Sequence, residues 1–178
     1  MALGLVAALV LAVMASTRSS DPVPQRGGES AKATSPLTRP CDGHVESFNQ
    51  ATRELPYELL IPNTELASQS SLKATWSCDD IGQIALEYES GVVVYERLSD
   101  LADPAATYAA LAKEYPEYST GEVRGVPASL AAPDPKQGVS GGVDFVVGDA
   151  RYIVAGDETI PLDALREVAE SMRPVEGG

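Results

Sequence analysis

Hydrophobic and polar positions divide this chain into three regimes. Residues 2–15 are one unbroken apolar run, Ala-Leu-Gly-Leu-Val-Ala-Ala-Leu-Val-Leu-Ala-Val-Met-Ala, with no polar face. Residues 16–40 are Ser, Thr, Pro, Gly, Gln and scattered charges, with Val23 and Leu37 the only sizeable apolar side chains. From Cys41 onward, short apolar segments alternate with turn residues, the pattern of a folded domain. The expected organisation is therefore a signal peptide or membrane-anchor segment over 1–15, a disordered linker over 16–40, and a single α+β domain over 41–178.

Within the third regime the spacing predicts particular elements. Val45, Phe48 and Leu55 recur at helical spacing, so residues 45–54 read as a short helix stopped by Pro56. Residues 57–61 read as a strand ended by Pro62. Three runs rich in β-formers follow at 72–77, 83–88 and 92–97, separated by Asp79-Asp80 and Ser90-Gly91. Asp103-Pro104 opens a helix as cap and first helical residue; it runs through Tyr108, Leu111 and Tyr115 to Pro116. Residues 118–124 and 127–131 read as strands joined near Gly125. Residues 143–147 and 151–155 flank Gly148-Asp149-Ala150 as a hairpin. A last helix carries Leu162, Leu165, Val168, Ala169 and Met172 on one face and Asp163, Arg166, Glu167, Glu170 and Arg173 on the other, with Arg166 and Glu170 at a supportive i,i+4 spacing. Strands outnumber helices and short turns join most of them. The predicted fold is α+β, a mostly antiparallel sheet with helices packed on one face and a C-terminal amphipathic helix.

The apolar run has the length of a signal-peptide core, and Val13-Met14-Ala15 before Ser16 suits cleavage. No Lys or Arg precedes it, and it is short of the ~20 residues that span a bilayer. Cleavage, retention as an anchor, and the tail of a longer anchor remain open readings. No Cys near its end offers a lipid-modification site. Residues 16–40 bury too little to offset the entropy of ordering, and as a tether they would reach about 25–30 Å. They are either a spacer or an unstructured leader. The expected localisation is extracytoplasmic, secreted or held to the membrane by the N-terminal segment.

The formal net charge of −13 changes the list of partners. It repels nucleic acid and anionic lipid surfaces, which excludes nucleic-acid binding. Export also makes the two cysteines, Cys41 and Cys78, a natural disulfide pair. Their spacing fits neither a Cys-x-x-Cys redox motif nor a zinc site. Such a bridge would contribute roughly 3–4 kcal/mol, and Trp76, on the same strand face as Cys78, is expected to pack on it in the core.

Other candidate chemistry is sparse. His44 is the only histidine, and a disulfide-bonded Cys41 has no thiolate to pair with it. Ser70-Ser71-Leu72-Lys73 matches Ser-x-x-Lys in form, but Lys73 begins a predicted strand rather than a helical turn. Asp79-Asp80 and Asp157-Glu158 lack the glycine and closing Glu of a calcium loop. Gly141-Gly142 and Gly148 lack a phosphate-loop pattern. No catalytic, cofactor-binding or metal-ligating residue is assigned, and no cofactor is expected.

Three segments carry a resemblance: residues 55–62 (Leu-Pro-Tyr-Glu-Leu-Leu-Ile-Pro), residues 84–88 (Ile-Ala-Leu-Glu-Tyr), and the ending from Gly142-Val143-Asp144-Phe145 through Arg151-Tyr152-Ile153 to Met172. Their order resembles an uncharacterised extracytoplasmic α+β domain of bacterial anti-sigma factors, sporulation-associated proteins and lipoproteins. The resemblance implies a bacterial sensing or binding module and supplies no catalytic residues. The expected function is a secreted or membrane-tethered binding domain without catalytic activity. Its partner would be a protein, an envelope component or a small ligand; no oligomeric state is assigned. The alternatives are a carrier sheltering an apolar ligand against the sheet, and a hydrolase using acidic residues only.

Overall fold

The computed structural model describes residues 44–53, 55–78, 82–134, 136 and 139–175. Alternating apolar residues make strands because successive side chains leave opposite faces. The strands are β1 (His44–Glu46), β2 (Leu60–Ile61), β3 (Leu72–Cys78), β4 (Gln83–Tyr88), β5 (Val93–Leu98), β6 (Tyr118–Val123), β7 (Val126–Ala131), β8 (Gly141–Val147), β9 (Ala150–Gly156) and β10 (Arg173–Pro174), and the longer ones show that alternation. The helices are α1 (Phe48–Ala51), α2 (Pro104–Glu114) and α3 (Leu162–Ser171). The fold is α+β. Eight strands form one antiparallel sheet in the order β1-β3-β4-β5-β9-β8-β7-β6, and β2 pairs with β10 separately.

The β8–β9 hairpin turns through Gly148, whose φ of 60° an L side chain rarely adopts. Its register puts Val143 opposite Val154 and Phe145 opposite Tyr152, whose rings stack at 5.4 Å. One sheet face therefore carries Leu86, Val94, Val154, Val143, Phe145 and Ala128, all buried. Helix α3 closes that face with Leu165, Val168, Ala169 and Met172. It can sit close because Gly141 and Gly156, paired across β8 and β9, lie under Leu165; a Cβ at Gly156 would come within 2.9 Å of it.

The other face is different chemically. Asp144 and Arg151 alternate with the core residues and so project away from the core. The Tyr108 hydroxyl of α2 donates to Asp144 Oδ1 at 3.0 Å, which puts α2 on the face opposite α3. The expectation of helices on a single face is corrected here: the charged positions of β8 and β9 give the outer face its own polar seat. Asp103 caps α2, its Oδ1 accepting from Ala106 N–H at 3.0 Å behind Pro104.

Three local expectations also change. Residues 45–54 do not form one helix: β1 pairs with the end of β3, and only Phe48–Ala51 is helical. Of residues 57–61 only Leu60–Ile61 is a strand, and its partner lies more than a hundred residues on. Arg166 and Glu170 do not pair with each other. Arg166 Nη2 donates to Glu122 O at 2.9 Å, and Glu170 Oε2 accepts from Arg124 N–H at 2.8 Å, so this helix face grips the β6–β7 hairpin.

Candidate functional site

The segment before β2 is held across the core face by groups that reach up from the sheet. Tyr57 donates its hydroxyl to Glu96 O at 2.8 Å, and Tyr152 donates to Glu58 O at 2.6 Å. Leu60 N–H donates to Glu96 Oε2 at 3.1 Å. Glu96 faces the core because it follows Val94 by two positions on β5 and so shares its side; it is 0% exposed, and its Oε1 has no hydrogen-bond partner. Burial pushes its carboxyl well above the ordinary range, against the lowering effect of the Leu60 hydrogen bond. Tyr57, Tyr88 and Tyr152 are likewise held above the usual phenol value, first by burial and then by the Glu96 charge.

Held this way, the segment faces the β8–β9 turn across a groove. A cleft of about 560 Å³ is walled by Leu55, Pro56 and Tyr57 on one side and by Val147 and Ala150 on the other, with Tyr152, Glu58 and Asp149 also lining it. A second cleft of about 240 Å³ shares Leu55, Tyr57 and Glu58 and extends to Leu59 and Val175. Among the described residues no side chain pairs with Glu58 or Asp149. The turn itself is fixed by Ser99 N–H donating to Asp149 O at 2.7 Å.

A second polar constellation sits under α2. Arg151 forks onto Asp144, Nε to Oδ1 at 2.9 Å and Nη2 to Oδ2 at 2.5 Å, while its Nη1 reaches Asp100 Oδ1 at 3.3 Å. Arg97 meets the same Asp100 oxygen at 3.2 Å. Burial alone would lower the Arg151 pKa, but the Asp144 hydrogen bonds and charge outweigh it and leave the guanidinium held above its usual value. Arg151 and Asp144 have every side-chain polar atom paired inside the molecule, while Arg97 Nε is buried without a partner, so the Asp144–Arg151 fork reads as a structural seat for α2.

The residues singled out by sequence fall elsewhere. Cys41 and the side chain of Cys78 lie outside the described residues, and so does the Cys41–Cys78 pairing; Cys78 itself ends β3. His44 begins β1 opposite Ser77. Asp79 and Asp80 lie outside the described residues. Ser70 and Ser71 belong to a 3₁₀ turn, Gln69–Ser71, while Lys73 stands on β3 and ion-pairs with Glu87, so the Ser-x-x-Lys pattern does not assemble. Trp76 does not enter the core. It is half-buried on the outer face, its indole N–H donating to Glu87 Oε2 at 3.2 Å. Asp157 accepts from the Thr159 N–H at 2.8 Å and hydroxyl at 2.6 Å, and these bonds lower its pKa in a turn. No group of three or more His, Cys, Asp or Glu among the described residues is placed to hold a metal. No described helix is long and apolar enough to cross a membrane.

Sequence reasoning missed Glu96, the Asp144–Arg151 fork, and the groove carboxylates Glu58 and Asp149. The first two left a signal: a lone charge at a core-phase position of an apolar strand, and opposite charges on adjacent strands. Glu58 and Asp149 left none: the one falls in a short predicted strand and the other in a turn, and neither stands out until the fold lines one cleft with both. Comparison of the chain with protein-family models, with curated proteins and with solved structures finds no match.

Proposed function

We propose that this chain is an exported, non-enzymatic bacterial binding or sensing head, working through the groove between residues 55–58 and the β8–β9 turn. The observation that carries the reading is the contrast between the two polar constellations. The Asp144–Arg151 cluster is satisfied internally, whereas the groove presents unpaired carboxylates beside apolar and aromatic walls, the composition of a recognition surface. The apolar run of 2–15, the tether of 16–40 and the resemblance to extracytoplasmic sensing domains support the same reading. The carrier alternative draws no support from the core face, which α3 and the segment around β2 fill. The acidic-hydrolase alternative needs one carboxylic acid held protonated beside its partner. Glu58 and Asp149 are both exposed, and Glu96, which is buried, sits beneath Leu60 out of reach of the groove.

A photo-crosslinking residue placed at Asp149, in cells that naturally make the protein, is expected to give one discrete adduct. The same residue at Glu114, on the far side of α2, is expected to give none. A ladder of adducts identical from both positions would dispose of the groove as a binding site.

On this reading Cys41 and Cys78 form a disulfide where β3 ends, tying the tether to the sheet. Non-reducing peptide mapping by mass spectrometry of exported protein is expected to recover the two cysteines on one linked peptide. Two alkylatable thiols in that material would remove the bridge from the proposal.

A further inference from the structure

The groove's side chains offer acceptors and no free donor. The Tyr57 and Tyr152 hydroxyls are spent on Glu96 O and Glu58 O, and Asp149 O is taken by Ser99 N–H. Among the lining side chains, what remains open to a ligand is the two carboxylates, Glu58 and Asp149, beside Leu55, Pro56 and Val147. No Lys, Arg or His lines either cleft. Arg124 lies within electrostatic reach of Tyr152, but it is not part of the lining, and its Nε and Nη1 are buried. An ammonium or guanidinium on an aliphatic stem satisfies this inventory: the head supplies the donors and the stem covers the apolar wall.

The shape selects among carriers of such a group. The two clefts share Leu55, Tyr57 and Glu58 as walls, and both are open to solvent rather than closed into a chamber. A small amine is normally recognised by enclosure; an open, elongated groove suits an extended polypeptide. The chain's net charge of −13 attracts a basic partner at long range and accelerates its encounter. Building on the groove reading above, we infer that the groove docks an extended basic segment of a partner protein, a Lys or Arg side chain lying on Leu55, Pro56 and Tyr57 with its cationic head against Glu58 and Asp149.

The test uses the full chain and a fluorescein-labelled, N-acetylated octapeptide alternating Lys and Val, followed by fluorescence anisotropy at physiological salt. A Glu–Val octapeptide and n-butylamine serve as the other probes. Glu58→Gln with Asp149→Asn is expected to weaken binding of the Lys–Val peptide by about tenfold or more. Glu114→Gln with Glu117→Gln makes the same change in net charge on a distant surface and is expected to change it by no more than about twofold. Equal losses in the two variants would reduce the binding to diffuse attraction and overturn the proposal. Displacement of the peptide by stoichiometric n-butylamine would assign the site to a small cation instead of a protein segment. Binding of the Glu–Val peptide alone, abolished by blocking the groove, would overturn the basic partner yet keep the groove as a docking surface. Failure of every probe, together with no adduct from position 149 in cells, would remove both.

Discussion

Replacing Arg151 with Met is expected to destabilise the domain by about 3 kcal/mol, the low end of the 3–5 kcal/mol seen when one partner of a buried ion pair is removed. Arg151 is 7% exposed and forks onto Asp144 through two nitrogens. Without it, Asp144 keeps only the Tyr108 hydroxyl at 3.0 Å, and a carboxylate with little access to water is left without its countercharge. The low end is chosen because the Asp144 side chain retains 17% exposure and some hydration. The same change loosens α2, since Tyr108 is the residue of that helix buried against the sheet and Asp144 is its partner. A second substitution, Asp144→Leu in the Arg151→Met background, is expected to restore most of the loss, because the main penalty is the orphaned charge rather than the lost attraction. Urea unfolding of the three proteins at one pH, with unchanged denaturant slope, measures both steps. A cost below about 1 kcal/mol for Arg151→Met would mean that the pair behaves as a screened surface contact.

The same residues show where sequence is legible and where it is not. Strand positions from β3 to β9 follow from alternation and from turns such as Gly148, because both signals are local and the sheet buries one face. The antiparallel sheet could be read for the same reason. β1 was hidden by a helical spacing at Val45, Phe48 and Leu55; pairing with β3 overrides local preference in a segment too short to hold a helix alone. β2 and β10 contribute two residues each and join positions far apart in the chain, so neither carries a periodic signal. The two-sided placement of the helices rests on single charges at Asp144 and Arg151, which alternation places but does not weigh. The groove is harder still. Glu58 and Asp149 line one cleft only because Tyr57, Tyr152 and Glu96 hold one segment beside one turn, a tertiary arrangement with no trace in local composition.

Glu96 supplies the second large effect, and its sign runs against the usual expectation for a glutamate. Substitution by Gln is expected to stabilise the protein at neutral pH. The buried carboxyl stays protonated well above 4.5 in the fold, chiefly through burial, whereas in the unfolded chain it ionises near 4.5. The folded state therefore binds the extra proton, and stability falls as pH rises, by about 1.4 kcal/mol per pH unit from near 4.5 until the folded-state value is passed. Below pH 4 both states are protonated and this cost vanishes. Gln carries no proton to release, keeps an amide oxygen for the Leu60 N–H, and brings an N–H₂ to the place of the unpartnered Oε1. Unfolding curves collected from pH 4 to 8 should thus converge at the acid end and diverge steadily above it, with Glu96→Gln the more stable protein. The wild-type carboxylate also limits the groove, because Leu60 hangs from its Oε2 and Tyr57 from its backbone oxygen. Amide exchange at Leu60 should quicken with pH faster than base catalysis alone predicts in the wild type, and only at the base-catalysed rate in Glu96→Gln. Parallel stability curves for the two proteins would show instead that Glu96 is ionised in the fold, and the segment lining the groove would then be anchored by a buried charge rather than a neutral acid.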